Sequence, residues 1–152
     1  MLDRRPDAIQ LVPGARVQQC DATDLPFPHG SFDTVVANHV LYHLDDPVRH
    51  LLGLGRTIAR GLMLDTHYAR DEDAGEEYEV DGRSYRYHMK REKGHADVFS
   101  GVYPRSKWLR LPDITDLLEA AGFGAIEVVE RREERNGPRV LMFAERMAAR
   151  SG

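Results

Sequence analysis

Residues 20–47 read C-D-A-T-D-L-P-F-P-H-G-S-F-D-T-V-V-A-N-H-V-L-Y-H-L-D-D-P, and no other stretch constrains the fold as tightly. Pro26 and Pro28 stiffen a loop over 21–31, and His29-Gly30 closes it as a turn. The next run, Phe32 to Ala37, is too short for a buried helix and is rich in valine, which predicts an interior parallel strand. Asp45 or Asp46 then offers a cap for a helix from Pro47 to about Ile58, with Val48, Leu51, Leu52 and Leu54 on or near one face and Gly53 and Gly55 weakening it. Gly61 admits a second buried strand, Leu62-Met63-Leu64, ending at Asp65-Thr66-His67. Strand, helix and strand at this spacing make a parallel crossover unit. The chain therefore reads as α/β, an open sheet with helices on its faces.

The flanks give weaker signals. Pro6 to Leu11 suggests a short helix, and Ala15 to Cys20 a strand with Val17 inward. From residue 68 to 110 the pattern changes. Glu77 to Val80 and Arg83 to His88 alternate around Asp81-Gly82, a β-hairpin signal. Seven acids and no bases lie between Asp71 and Asp81, whereas eight Lys/Arg and two acids lie between Arg83 and Arg110. Two meanings stay open: a solvated hairpin with paired charges, or a lid whose basic half meets an anionic substrate. Pro112 opens a helix through Ala121 that Gly122 terminates, and two strands, Ala125–Glu130 and Arg139–Glu145, flank Asn136-Gly137.

A chain of 152 residues is one domain with room for a real core. A net charge of −4 gives no global pull toward nucleic acid or membrane. No apolar run approaches the roughly 20 residues of a membrane span. A single cysteine, Cys20, excludes an intrachain disulfide and fits a cytoplasmic setting; it is either a nucleophile or a half-buried structural thiol. Seven histidines without paired ligand spacing argue against a metal site.

Ligands of open α/β sheets bind at the carboxyl ends of strands. Three such ends are polar here: Asp21-Ala22, Asn38-His39 and Asp65-Thr66-His67. An acid before a small residue suits an adenine edge, the Asp21 carboxylate accepting from the exocyclic amino group and the Ala22 N–H donating to a ring nitrogen. Phe27 or Leu25 would cover the ring.

The motif D-A-x-x-L-P-F-P-x-x-S-F-D-x-V-x-A-x-x-V-L-x-H-L resembles the segment after the third strand of class I S-adenosylmethionine-dependent methyltransferases, of the methyltransferase type 11 kind. The 47–64 region is similar to that family's fourth helix and fifth strand, and Leu117-Leu118-Glu119-Ala120-Ala121-Gly122-Phe123 to its L-L-x-x-A-G-F helix end. A weaker likeness, through Val40-Leu41-Tyr42-His43 and the aromatic segment around Tyr103 and Trp108, is to transfer-RNA wobble-uridine modification methyltransferases. The resemblance implies a Rossmann-like sheet of strand order 3-2-1-4-5-7-6, with an inserted hairpin lid at 68–110. It implies S-adenosyl-L-methionine as cofactor, a small-molecule or nucleoside acceptor, and Asp3 at the ribose hydroxyls.

The sequence departs from the family in one respect: it contains no D-x-G-x-G-x-G loop. The expectation is a single methyltransferase-like domain over 1–152 from which the first strand, the first helix and most of the second strand are missing. An exposed sheet edge would then invite homodimerisation, aggregation or a rearranged sheet. Candidate cofactor contacts are Asp3, Asp21, Ala22, Asn38 and His39. Candidate bases are His39, His43 and His67, each against the alternative of a structural histidine. Candidate acceptor contacts are Tyr42, Asp65, Tyr103 and Trp108; Asp65 alternatively caps the rim, and Trp108 alternatively anchors packing beneath the lid. Three functions are open: an active methyltransferase, a non-catalytic remnant that binds or dimerises, or a protein that contacts RNA through the basic 83–110 segment.

Overall fold

The computed structural model describes residues 13–16, 18–96, 100–101 and 103–147. The helix expected at 6–11, the inward Val17 and the ribose contact Asp3 lie outside these residues. Seven strands and two α-helices are described: β1 (Phe32–Asn38), α1 (Pro47–Thr57), β2 (Ile58–His67), β3 (Glu76–Val80), β4 (Arg83–Arg91), β5 (Arg105–Leu109), α2 (Leu111–Ala120), β6 (Ala125–Glu134) and β7 (Gly137–Glu145).

Four strands form the main sheet in the order β1-β2-β7-β6. β1 and β2 run parallel, with Val35 opposite Leu62 and Asn38 opposite Asp65. β7 lies antiparallel to both β2 and β6. The apolar run Val140–Ala144 thus sits inside the sheet, as its composition requires. In the family's numbering this order is 4-5-7-6, the second half of the expected sheet.

Two strand expectations change. Residues 18–20 form no strand. β1, expected inside the sheet, pairs only with β2 and stands at its edge among the described residues, which leaves Val36 61% exposed. Its valines reflect a strand able to bury both faces, and here only the helix-covered face is buried.

α1 begins where Asp46 Oδ1 accepts from the Arg49 N–H (3.1 Å), with Pro47 pre-set for the first turn. α2 ends as expected at Gly122, φ +95°, with the Phe123 N–H donating to the Leu118 carbonyl (3.1 Å). The two helices pack on one face of the sheet. Val48, Leu51, Ile114, Leu117 and Leu118 meet Leu62, Leu64, Val140 and Met142 in one core.

The 68–110 insertion is a three-stranded antiparallel sheet, β3-β4-β5, rather than a bare hairpin. Its two-residue turn uses positive φ at Asp81 (+52°) and Gly82 (+81°), the primed-turn geometry that matches strand twist. β5 is hard to see in the sequence because R-S-K-W-L carries little β pattern. Val80, Tyr85 and Leu109 bury into the main core, so this sheet is anchored to the body. Three of its bases are held by acids: Arg83 by Asp116 (2.9 Å), Arg110 by Asp113 (2.8 Å) and Asp71 (3.1 Å), and Lys107 by Asp45 (2.9 Å). Of these pairs only Arg110–Asp71 joins the acidic and basic halves of the 68–110 pattern.

Candidate functional site

A cleft of about 670 Å³ opens at the carboxyl end of β1. This lies within the usual range for small-molecule sites, roughly 300–1,000 Å³. Four segments build it: the 19–23 loop, His39-Val40 at the end of β1, His43 to Asp46 before α1, and Ser100, Gly101 and Tyr103 from the connection between β4 and β5.

The 19–23 loop is stiffened by its own acid. Asp21 Oδ1 accepts from both the N–H and the hydroxyl of Thr23, each at 2.8 Å. The Thr23 N–H, then its hydroxyl, hold the Asp21 carboxyl below its ordinary value. Both bonds use Oδ1, so Oδ2 is the oxygen a ligand in the cleft would meet. The Ala22 carbonyl is pinned by His50 of α1, whose Nδ1 donates at 2.7 Å. Burial pushes the His50 imidazole below its usual range, against that bond. The sequence gives little sign of this role: the helical spacing of His50 beside Arg49 and Leu51 shows only a surface-to-core transition. Cys20 also lines the cleft, and burial pushes its thiol up, away from the thiolate a nucleophile needs.

His39 takes a left-handed backbone, φ +59°, uncommon outside glycine. Its N–H donates to the Asp65 carbonyl (3.1 Å), which fastens the end of β1 to β2. Burial, then the Arg139 charge, lowers its imidazole pKa, so it lines the cleft as a neutral ring. Asn38 ends β1 beside Asp65 and is exposed, outside the cleft lining.

His43 occupies a short 3-10 turn, Leu41–His43. Its Nδ1 lies 3.1 Å from Glu92 Oε1. Glu92 lies behind the lining, bonded to His43, and sequence reasoning does not find it. Its carboxylate also accepts from the Ser100 hydroxyl (2.7 Å), the Ser106 hydroxyl (3.0 Å) and the Gly101 N–H (3.4 Å). Burial works to raise this carboxyl, but Ser100, His43 and Ser106 together hold it below its ordinary value. Its one signal in the sequence is an acid within a basic run, which reads equally well as charge balance.

The remaining candidates form a second cluster outside the cleft lining. His67 is buried, donates from Nδ1 to the Pro138 carbonyl (3.0 Å) and stacks on Trp108 (4.6 Å, 11°). Burial lowers its imidazole pKa. Tyr42 fills the space between His43 (4.2 Å) and His67 (4.8 Å). Trp108 is buried against these rings, outside the cleft lining. Asp65 is clamped by Arg139 (2.5 Å) and Arg132 (3.0 Å), which outweigh burial and hold its carboxyl low. So clamped, Asp65 ties β2 to β7 and β6 at the rim. The structure therefore brings Asp21, Ala22, His39, His43 and Tyr103 to one cleft and leaves Tyr42, Asp65, His67 and Trp108 behind it. Leu25 packs toward the core and Phe27 sits edge-on to Phe32 (5.0 Å), so neither covers a ring in the cleft. Among the described residues no cluster of His, Cys, Asp and Glu could hold a metal, and no helix is long and apolar enough to cross a membrane.

The methyltransferase-domain family matches residues 2–63, which contain three of the four cleft segments. The N-terminal domain of EvdMO1 with S-adenosylhomocysteine bound superposes with a TM-score of 0.68 at 26% identity, over 86% of this chain and 53% of that one. The fold is that of a class I methyltransferase. The same domain in the presence of S-adenosylhomocysteine and D-fucose gives 0.68 at 24% identity, over 87% and 55%. A S-adenosylmethionine-dependent methyltransferase from Methanosarcina mazei gives 0.58 at 17% identity, over 97% and 81%. The chain thus spans about half the length of the EvdMO1 domain it matches. A comparison with curated proteins finds no match.

Proposed function

We propose that the cleft takes the nucleoside end of S-adenosyl-L-methionine and that the chain methylates a small-molecule acceptor there. One observation carries this: the Asp21-Ala22 loop and His39 line the same concavity at a strand's carboxyl end, where open α/β sheets bind ligands. The donor set fits the cofactor's adenosine. Asp21 Oδ2 would accept from an exocyclic amino group, and the loop backbone, fixed by Thr23 and His50, would meet the ring edge. The EvdMO1 domain with S-adenosylhomocysteine and D-fucose supports a hydroxylated small molecule as the acceptor class.

Bound S-adenosylmethionine supplies a methyl group already activated on a sulfonium. The chain's own residues then have three tasks: alignment, exclusion of water and, for a protic acceptor, removal of a proton. Tyr103, Ser100, Gly101, His39 and His43 all line the cleft and would share these tasks.

Calorimetry with S-adenosylhomocysteine tests the proposal. Binding to the wild-type chain is expected, weakened about 10- to 100-fold in Asp21→Ala, the worth of a hydrogen bond to a charged group, about 1.5–3 kcal/mol. No heat with the wild type, or equal affinity in the variant, would overturn it.

A further inference from the structure

We propose that His43 takes the proton from the methyl acceptor and that Glu92 is the positioning residue that prepares it. This deepens the reading of the same cleft and rests on it. The acceptor is then a group that must shed a proton, a hydroxyl in the first instance.

The argument begins with the imidazole's two nitrogens. A carboxylate has only acceptor sites, so at 3.1 Å from Glu92 Oε1 the proton of a neutral His43 belongs on Nδ1. The other nitrogen, Nε2, then carries a lone pair. His43 lines the cleft, and its Nδ1 edge is taken by Glu92, so the lone pair is the ring's free reactive position. The tautomer is set by the hydrogen bond on the far nitrogen, and the intrinsic preference of a free side chain, Nε2–H, would be the wrong one for a base.

Three contacts fix the ring. Tyr42 packs against it at 4.2 Å. Gly101 approaches so closely that an added Cβ would lie 2.7 Å from the His43 carbonyl and 3.1 Å from its Cβ. Glu92 itself is held by Ser100, Ser106 and the Gly101 N–H. Its side chain is only 10% exposed, and it reaches His43 from 49 residues along the chain. A surface ion pair has no need of four donors. A carboxylate that must face a ring about to become cationic does.

The balance of the step is simple. The acceptor oxygen forms its bond to the methyl carbon as that carbon's bond to sulfur breaks, with the electron pair left on sulfur. The hydroxyl proton passes to His43 Nε2, and the resulting imidazolium faces the Glu92 carboxylate. The inserted sheet therefore contributes to chemistry through the start of its 92–104 connection, in addition to walling the cleft.

Nitrogen-15 NMR of histidine-labelled protein at pH 8.5, with His43 assigned from the His43→Gln spectrum, tests this without needing the acceptor. The wild type is expected to hold His43 as the Nδ1–H tautomer. Glu92→Ala is expected to move it toward Nε2–H, while Glu92→Gln, whose amide oxygen can still accept, is expected to keep part of the Nδ1–H form. Carbethoxylation by diethyl pyrocarbonate, whose carbonyl carbon is attacked by the unprotonated nitrogen, should modify His43 readily in the wild type and several-fold more slowly in Glu92→Ala. An Nε2–H tautomer in the wild type, or an unchanged tautomer and reaction rate in Glu92→Ala, would overturn the assignment. Since the wild-type tautomer is read directly, a variant that fails to fold does not protect the proposal. Calorimetry with S-adenosylhomocysteine on the same wild-type sample separates the two claims: absent binding overturns the methyl-transfer reading even where the His43–Glu92 geometry is found.

Discussion

Gly55→Ala should destabilise this protein even though alanine is the better helix former. Gly55 lies in the last turn of α1, where α1 meets the end of α2. A Cβ built there would fall 2.4 Å from Ala121 Cβ, 3.2 Å from its carbonyl oxygen and 3.3 Å from its Cα. None of these is the far end of a flexible side chain, so the helices themselves must separate. The site is also crowded by Arg146, whose guanidinium donates to the Gly55 carbonyl and to the Ile58 carbonyl (2.9 Å). Helix propensity favours alanine by about 0.8–1 kcal/mol. Overpacking of a well-filled contact costs about 1–3 kcal/mol, and displacing the Arg146 bonds adds to the upper part of that range. The net expectation is a loss of about 1–2 kcal/mol, a fall in melting temperature of about 2–8 °C for a chain of this size. Thermal and urea unfolding followed by circular dichroism measure it. Gly55→Ala/Ala121→Gly removes the 2.4 Å methyl clash but not the two backbone approaches, and should recover part of the loss. A Gly55→Ala protein as stable as the wild type, or more so, would refute the close approach of α1 and α2.

Arg139→Met leaves the buried end of Asp65 with Arg132 as its remaining basic partner, and should cost about 3 kcal/mol, the low end for breaking a buried pair. Adding Asp65→Leu should recover part of that loss in urea titration, because the buried carboxylate that lost its shorter pair is then gone. His50 predicts a pH dependence. Its folded-state pKa is depressed by burial, so between that value and about 6.5 the unfolded chain binds a proton that the native chain does not. Stability is thus full above about pH 6.5 and falls as the pH drops below it. His39 and His67 are depressed too and act in the same direction. Urea midpoints from pH 7.5 to 5 should fall less steeply in His50→Leu than in the wild type.

The legible part of the sequence is local and periodic. The valine run of β1, the cap at Asp46, the Asp81-Gly82 turn and the Gly122 terminator each depend on a few adjacent residues, and each stands in the structure. The hidden part depends on partners far along the chain. β1 reads as interior because its composition records which faces it can bury, while its edge position depends on which strands lie beside it. Gly55 reads as a weakness of α1, and its reason is Ala121, at the far end of another helix. Asp65, His67 and Trp108 look like rim chemistry because they are polar or aromatic at a strand end or in the insertion. Arg139, Arg132 and the Pro138 carbonyl, brought in by β6 and β7, turn them into a packed and paired cluster instead. Glu92 is hidden for the same reason: nothing near it in sequence names His43.

The most direct measurement of the central claim is a crystal structure with S-adenosylhomocysteine. The account predicts the purine within hydrogen-bonding reach of Asp21 Oδ2 and the Ala22 backbone, in the cleft that His39 also lines. A ligand seated elsewhere, for example in the smaller hollow of about 300 Å³ beside Arg70 and Arg131, or a cleft that stays empty at saturating ligand, would contradict it.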